Sequence, residues 1–198
     1  MVHIVHLYPK TLGLYGDAGN VLALRKRLEW RGIDVTVTLV DGEDSIPNDG
    51  DIYAIGSGSS NSVRFVGERI VTLRTAIERA LAREAGVLAI GAGLHLLSDR
   101  IDWSDGTRTG GARIVSGNSI PRPTRLVGEL VGSAQGHQVA GFINSGHALE
   151  TDLPAHISNV VIENHATPGQ TDGVEFGTLI GTSSHGSYLP MNPAIADL

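Results

Sequence analysis

Cysteine is absent from all 198 positions of the chain, which excludes disulfides, thiolate metal sites and a cysteine nucleophile. Long apolar runs are missing as well. None approaches the roughly 20 residues that a bilayer-spanning helix needs, and the N-terminus opens directly on the strand-like Val2-His3-Ile4-Val5-His6-Leu7. A soluble, cytoplasmic protein without membrane insertion is therefore expected. Positive charge is scarce: 15 Lys and Arg stand against 21 Asp and Glu, a net charge of −6. Phosphate backbones are bound by clustered cations, so no nucleic-acid partner is expected. The one basic cluster, Arg25-Lys26-Arg27, reads as the solvated face of an amphipathic helix. What is present is an ordinary hydrophobic fraction of 41% in a chain long enough for one sizeable core, so residues 1–198 are expected to form a single domain.

Periodicity supplies the frame. Val2–Leu7 reads as a first strand, followed by a loop from Tyr8 to Gly16. Val21, Leu24 and Leu28 then recur at helical spacing, with Asp17 as N-cap or first-turn residue and Gly32 as the stop. Ile33–Val40 alternates apolar and polar side chains and is rich in β-branched residues, as expected of a strand near the sheet edge. An acidic loop from Asp41 to Asp51 leads to a buried strand, Ile52–Ile55. Next come Gly56-Ser57-Gly58-Ser59-Ser60-Asn61-Ser62, small residues that permit close backbone approach and whose amides can form an anion-binding concavity. Their place at the carboxyl end of a central strand suits a binding role; the plainer reading is a flexible polar loop.

Val66, Ile70, Leu73, Ile77 and Leu81 mark one helix, stopped by Gly86, and Val87–Ile90 reads as a strand buried on both faces. Strands interleaved with helices imply right-handed crossovers and a mostly parallel sheet. At Gly91-Ala92-Gly93 the chain turns into a helix carrying Leu94, His95, Leu96 and Leu97, which is the shape of a nucleophile elbow. Its exposed position is Gly91, which carries no reactive atom. Beyond Ser98 the pattern changes. Residues 99–117 are polar and glycine-rich, Thr124–Val131 and Gln138–Phe142 are short alternating strands, and Ile157–Ile162 is another. A loop with Glu163-Asn164-His165, Pro168, Gly169, Asp172 and Gly173 precedes a last strand, Phe176–Gly181, and Asn192-Pro193 predicts the start of a short C-terminal helix.

Four stretches carry a resemblance. They are the elbow; Tyr8-Pro9 with Leu14-Tyr15-Gly16-Asp17 and Gly19-Asn20-Val21-Leu22-Ala23-Leu24-Arg25; Asp51-Ile52-Tyr53-Ala54-Ile55-Gly56-Ser57-Gly58; and Gly181-Thr182-Ser183-Ser184-His185-Gly186 with Leu189-Pro190 and Asn192-Pro193. In this order they resemble the class I glutamine amidotransferases of the cobyric-acid-synthase-like (CobB/CobQ-like) group, and within it the GatD branch, glutaminase subunits of lipid II isoglutaminyl synthase. The elbow there usually reads Ala-Val-Cys-Gly-Gly-Tyr-Gln-Leu-Leu-Gly, so the Cys position falls on Gly91, the next glycine on Ala92, and the Tyr-Gln pair on Leu94 and His95. The family's Gly-Phe-Glu-Asn-His-like segment reads Gly141-Phe142-Ile143-Asn144-Ser145-Gly146-His147 here, with Ile143 and Ser145 at its acidic and histidine positions.

The resemblance implies a flavodoxin-like three-layer α/β fold with a mainly parallel sheet and a small antiparallel β extension. It implies His185 as the catalytic histidine and an oxyanion frame from Gly56, Ser57, Gly58, Ala92 and Gly93. Asp17, Asn20, Asn61, Leu94, Asn144, His147, Glu163 and His165 are the further pocket candidates. No cofactor and no resident metal are expected. An amidotransferase needs a thiolate to attack the carboxamide, a histidine to shuttle the proton and amides to hold the oxyanion. Gly91 removes the first of these, so glutaminase activity is expected to be absent.

His95 lies one turn into the elbow helix, on the side expected to face the pocket of His185. Such a pair serves as acid and base, or holds a metal with Glu163 or His147; the plainer reading is a polar side chain hydrogen-bonded inside a remodelled pocket. Ser183 and Ser184 point to opposite faces and make poor nucleophile candidates, and His3 and His6 read as structural or exposed. Two function classes follow. One is a GatD-like subunit without ammonia production, working with a Mur-ligase-like (MurT-type), ATP-dependent synthetase or as a homo-oligomer. The other is a fold repurposed as an enzyme of a specialised biosynthetic pathway, taking its own small-molecule ligand and using His95 and His185.

Overall fold

Side chains alternate across the short apolar strands, and that alternation decides the layering. In the computed structural model, which describes residues 1–163, 165 and 169–198, six strands form one sheet in the order β10 (Val174–Phe176), β11 (Leu179–Thr182), β4 (Gly86–Ile90), β3 (Ile52–Ile55), β1 (Val2–Leu7) and β2 (Val35–Val40). Asn164 and Pro168 of the expected loop lie outside the described residues. Every pairing in this sheet is parallel except β10 with β11. Along β1, Val5 and Leu7 face a core shared with Leu73, Ala76 and Ile77 of α3 (Ile70–Ala82), whereas Ile4 packs with Val21 of α1 (Ala18–Trp30) on the opposite face. In β4 the same alternation sends Val87 and Ala89 to the α3 side, and Leu88 and Ile90 to a third cluster under the second sheet. Burial on both faces makes these strands near-continuous apolar runs.

The second sheet is the β extension. Its order is β12 (Ser184–His185), β8 (His137–Glu150), β7 (Asn118–Ala134), β5 (Arg100–Asp102) and β6 (Arg108–Gly110), with β9 (Ser158–Ile162) also paired to β7. The β7–β8 hairpin extends well past the two short strands expected at 124–131 and 138–142. Pro121 and Pro123 argue against a long strand, since proline donates no ladder bond, but Pro121 sits opposite His147 at the edge of a register shift that runs to Leu126 and takes Pro123 out of the ladder.

Other boundaries differ for local reasons. The single helix expected over Val66–Leu81 is two, α2 (Ser60–Gly67) and α3, and α2 begins inside the expected loop because Ser59 Oγ accepts from the Ser62 amide as an N-cap. The single last strand expected at Phe176–Gly181 is a tight hairpin. Phe176 pairs with Leu179, and Gly177, at φ +55, supplies the left-handed turn residue between them. Asp17 precedes α1 but makes no cap with its side chain. Asn192 closes α5 (Tyr188–Met191), and after Pro193 comes a 3-10 turn at Ile195–Asp197, shorter than the expected helix. No helix of the described residues is long and apolar enough to cross a membrane.

The two sheets meet at one seam. β11 ends at Thr182 in the parallel sheet, and two residues later β12 pairs with β8 in the other, so His185 stands where the sheets join. Two buried asparagines fasten this seam. Asn20 on α1 donates to the Gly186 carbonyl at 2.8 Å and accepts from the Leu189 amide at 2.8 Å, while Asn192 both accepts from the Ala140 amide and donates to its carbonyl. A third tie is His156, hydrogen-bonded to Glu175 on one ring nitrogen and to the Tyr188 hydroxyl on the other. A buried group that loses its partner forfeits about 1–3 kcal/mol, and Asn20→Ala strands two. The variant is expected to lower the urea midpoint by a loss of at least about 2 kcal/mol with the denaturant slope unchanged, measured by circular dichroism.

Candidate functional site: an elbow without its nucleophile

The chain turns from β4 into α4 (Ala92–Leu97) through Gly91 at φ 54 and ψ −115, a conformation that L side chains rarely adopt. Packing enforces it. The Gly91 amide donates to the Thr182 carbonyl at 2.8 Å and its carbonyl accepts from the Leu94 amide at 3.1 Å. Gly93 leaves no room either, since a Cβ there would lie 2.8 Å from the Ile55 carbonyl oxygen, pressing α4 against the end of β3.

Beside the elbow stands the Gly56–Gly58 loop. Leu14 donates its amide to the Ser57 carbonyl at 3.0 Å, and the buried Asp17 carboxylate accepts from the Tyr15 amide while its side chain packs against Gly56, where an added Cβ would lie 2.6 Å from Asp17 Cβ. Burial dominates its titration and pushes the Asp17 carboxyl up to about 6 despite that amide. One of its oxygens, Oδ1, is buried with no hydrogen-bond partner among the described residues. Asp17 is thus the brace of the loop. The Ser57 hydroxyl, on a residue only 1% exposed, accepts from the Ala92 amide at 3.2 Å.

Above elbow and loop lies a cavity of about 420 Å³. On one wall His185 donates from Nδ1 to the Ser183 carbonyl at 2.7 Å, an oxygen that only accepts, which leaves Nε2 as a free lone pair. Burial lowers the His185 pKa and favours the neutral base. The Tyr15 ring meets the imidazole edge-on at 4.7 Å between centroids, and its hydroxyl accepts from Asn144 Nδ2. Asn144 is gripped in turn by Arg125. The opposite wall holds His95, 5.9 Å from the His147 ring, whose other neighbour is Trp103 at 5.1 Å. His95 Nδ1 pairs with Ser119 Oγ at 2.9 Å, and Nε2 is buried without a partner among the described residues. Burial first, then the fields of His147, His185 and Arg122, depress the His95 pKa to about 3. His95 is therefore a neutral hydrogen-bonding group at physiological pH.

Of the pocket candidates, Ser57, Gly58, Ala92, His95, Asn144, His147 and His185 border this cavity. Asp17, Asn20, Gly56, Gly93 and Leu94 lie behind it as packing and bracing residues, Leu94 being fully buried in the main core. Asn61 is exposed on α2, and Glu163 and His165 are exposed at the end of β9, away from the cavity. Among the described residues no three His, Asp or Glu side chains converge to hold a metal ion. Tyr15, Trp103, Ser119 and Arg125 are the residues that reasoning from the sequence did not single out. Tyr15 stood inside a quoted motif, and Arg125 lies in the expected strand at 124–131, one residue before the inward-facing Leu126; for Ser119 no local signal exists.

A parallel sheet whose central strand breaks at a left-handed elbow, with a histidine delivered from the last strand beside it, is the arrangement of triad-type amidotransferases. The CobB/CobQ-like glutamine amidotransferase domain family matches residues 3–193, and the chain belongs to that family. Its curated relatives include subunit GatD of lipid II isoglutaminyl synthase (glutamine-hydrolyzing) from Staphylococcus aureus strain N315, 29% identical over 98% of this chain and 81% of the relative. The subunit of the same description from Streptococcus pneumoniae R6 is 26% identical over 98% of this chain and 77% of the relative. Among solved structures, the acivicin-bound glutaminase domain of Trypanosoma brucei CTPS superposes with a TM-score of 0.62 at 10% identity, covering 99% of this chain and 90% of that one, a likeness of fold.

The histidines make stability depend on pH. The His95 pKa is depressed from 6.5 to about 3, so through that window the unfolded chain binds a proton that the native state refuses. Its contribution is complete above the unfolded value and is lost as pH falls toward the folded one; His6, His147 and His185, all lowered by burial, act in the same sense. Asp17, raised to about 6, works in the opposite direction as pH falls below its folded pKa. Urea unfolding of His95→Gln is expected to show a smaller loss of stability than the unaltered protein on going from about pH 6.5 to about pH 4.5.

Proposed function

We propose that this chain is a GatD-like subunit that keeps the amidotransferase frame without glutamine hydrolysis, and that it acts with a Mur-ligase-like, ATP-dependent synthetase. The observation that carries the reading is the elbow itself. Gly91 holds the backbone conformation of a nucleophile turn, with a Cβ built there 3.3 Å from His185 Cε1, while the chain has no cysteine to occupy it. Loss of the attacking atom costs a factor of about a million in related covalent hydrolases, which leaves the remaining groups with nothing to activate. Support for a partner comes from the relatives, which are named as subunits, and from the outer face of α1. There Leu22 is 55% exposed and Trp30 76% exposed beside Pro190 and Pro193. The neighbouring cations are already engaged within the chain: Arg25 and Lys26 pair with Glu29, and Arg27 and Arg31 with Asp197.

A second reading, a divergent enzyme that uses the same cavity, draws on the unpartnered Nε2 of His95. A histidine titrating near 3 is a poor proton donor or acceptor at neutral pH, so that reading assigns His95 to holding a ligand and leaves any base role to His185.

The purified protein is expected to release no ammonia from L-glutamine. Turnover that disappears in His185→Ala would overturn this and reveal an unrecognised nucleophile. For the partner, co-expression with the synthetase encoded nearest to this chain is expected to give co-elution on size exclusion, weakened by Leu22→Glu or Trp30→Ala. A protein that elutes alone and turns over a small molecule in a His95-dependent manner would favour the second reading.

A further inference from the structure

We infer that Ser57 has taken over the place of the elbow side chain: its hydroxyl fills the volume in which a side chain at position 91 would begin and holds the Ala92 amide, denying a carboxamide its seat above the elbow. This rests on the reading of the pocket as non-hydrolytic and adds the residue that keeps it so. A Cβ built on Gly91 would lie 2.6 Å from Ser57 Oγ and 2.9 Å from Ser57 Cβ, both closer than real side chains approach, and 3.3 Å from Cε1 of His185. The hydroxyl thus stands in the space between elbow and histidine, where a nucleophile would sit.

Ser57 has no route of retreat. Its carbonyl is held by the Leu14 amide at 3.0 Å. The loop is pinned on either side: a Cβ at Gly56 would meet the Leu12 carbonyl and Asp17, and one at Gly58 would lie 2.8 Å from the Leu12 side chain and 2.9 Å from that of Ser62. An elbow side chain and the Ser57 side chain therefore exclude one another. Acyl transfer at such an elbow also needs the amide after the turn free for the oxygen that becomes charged, and here that amide is spent on Ser57 Oγ at 3.2 Å.

Ser57 is not arranged as a substitute nucleophile. A nucleophile shares a hydrogen bond with its base, whereas among the described residues Ser57 Oγ bonds the Ala92 amide and makes no hydrogen bond to His185. Loss of the thiol and gain of the hydroxyl are one coupled change, so restoring position 91 alone does not restore the elbow.

The test uses the full chain with Ser57→Ala, Gly91→Cys and the double variant Ser57→Gly/Gly91→Cys. The left-handed strain at position 91 is common to both thiol variants and cancels in their comparison. Alkylation by iodoacetamide at neutral pH is expected to be about tenfold faster in the double variant than in Gly91→Cys, with a higher melting temperature, and to slow again when His185→Ala is added. A single variant that fails to fold while the double folds supports the exclusion. If neither folds, amide exchange decides: in Ser57→Ala the Ala92 amide is expected to exchange about tenfold faster than in the unaltered protein. Equal reactivity and stability of the two thiol variants, unchanged Ala92 exchange, or phosphonylation of Ser57 in the unaltered protein by a fluorophosphonate would each overturn the proposal. Glutamine turnover with a protected Ala92 amide would instead sink the non-hydrolytic reading and leave the placement of Ser57 standing.

Discussion

The left-handed turn at Gly91 is imposed from outside. β4 is hydrogen-bonded on both sides, to β3 and β11, and the elbow amide is fixed to Thr182, so the chain must leave the sheet at that point and in that direction. In enzymes with this turn a side chain bears the strain because its reactive atom must project from the sheet. Here the residue is glycine, for which the conformation carries little penalty. The turn is set by the strands around it, which pack the same way whichever residue stands there.

Much of this was legible in the sequence. Strands β3 and β4 were readable as uninterrupted apolar runs, β1 as a run broken only by His3 and His6, and the elbow as a run that breaks at glycine, because burial on both faces leaves little polar alternation to confuse the pattern. The adjacency of Ser57 and Ala92, the delivery of His185 and the presence of His95 and His147 at one cavity follow from strand order, which the motifs indicate. Less legible was everything fixed by contacts distant in sequence. A register shift lets Pro121 and Pro123 belong to a long strand, and Ser119 meets His95 because β7 pairs with β5, the strand that follows α4. Asp17 illustrates the limit. Its position before α1 suggests a cap, yet its carboxylate turns inward to the neighbouring loop, a choice set by tertiary packing.

The N-terminal motif gains an internal explanation as well. Tyr15 packs on His185, Asp17 packs against Gly56, and Asn20 binds the backbone on either side of Ser187. Tyr15 thus lines the cavity while Asp17 and Asn20 support its walls from behind, so the motif has a role in the architecture of the site. The partner reading leans instead on the outward side of α1, whose exposed Leu22 and Trp30 do none of this work.

The seam at His185 has a mechanical consequence. The imidazole sits on the two-residue strand that hands the chain from one sheet to the other, and that strand meets β8 at Phe142 and Ile143, about 20 Å from the tip of the β7–β8 hairpin at the strand rise of about 3.3 Å per residue. Seam and hairpin thus share one strand, and the direction in which His185 points is tied to the register of β8. Asn20, Asn192 and His156 hold that junction, and their polar, directional bonds fix its angle more tightly than apolar packing would.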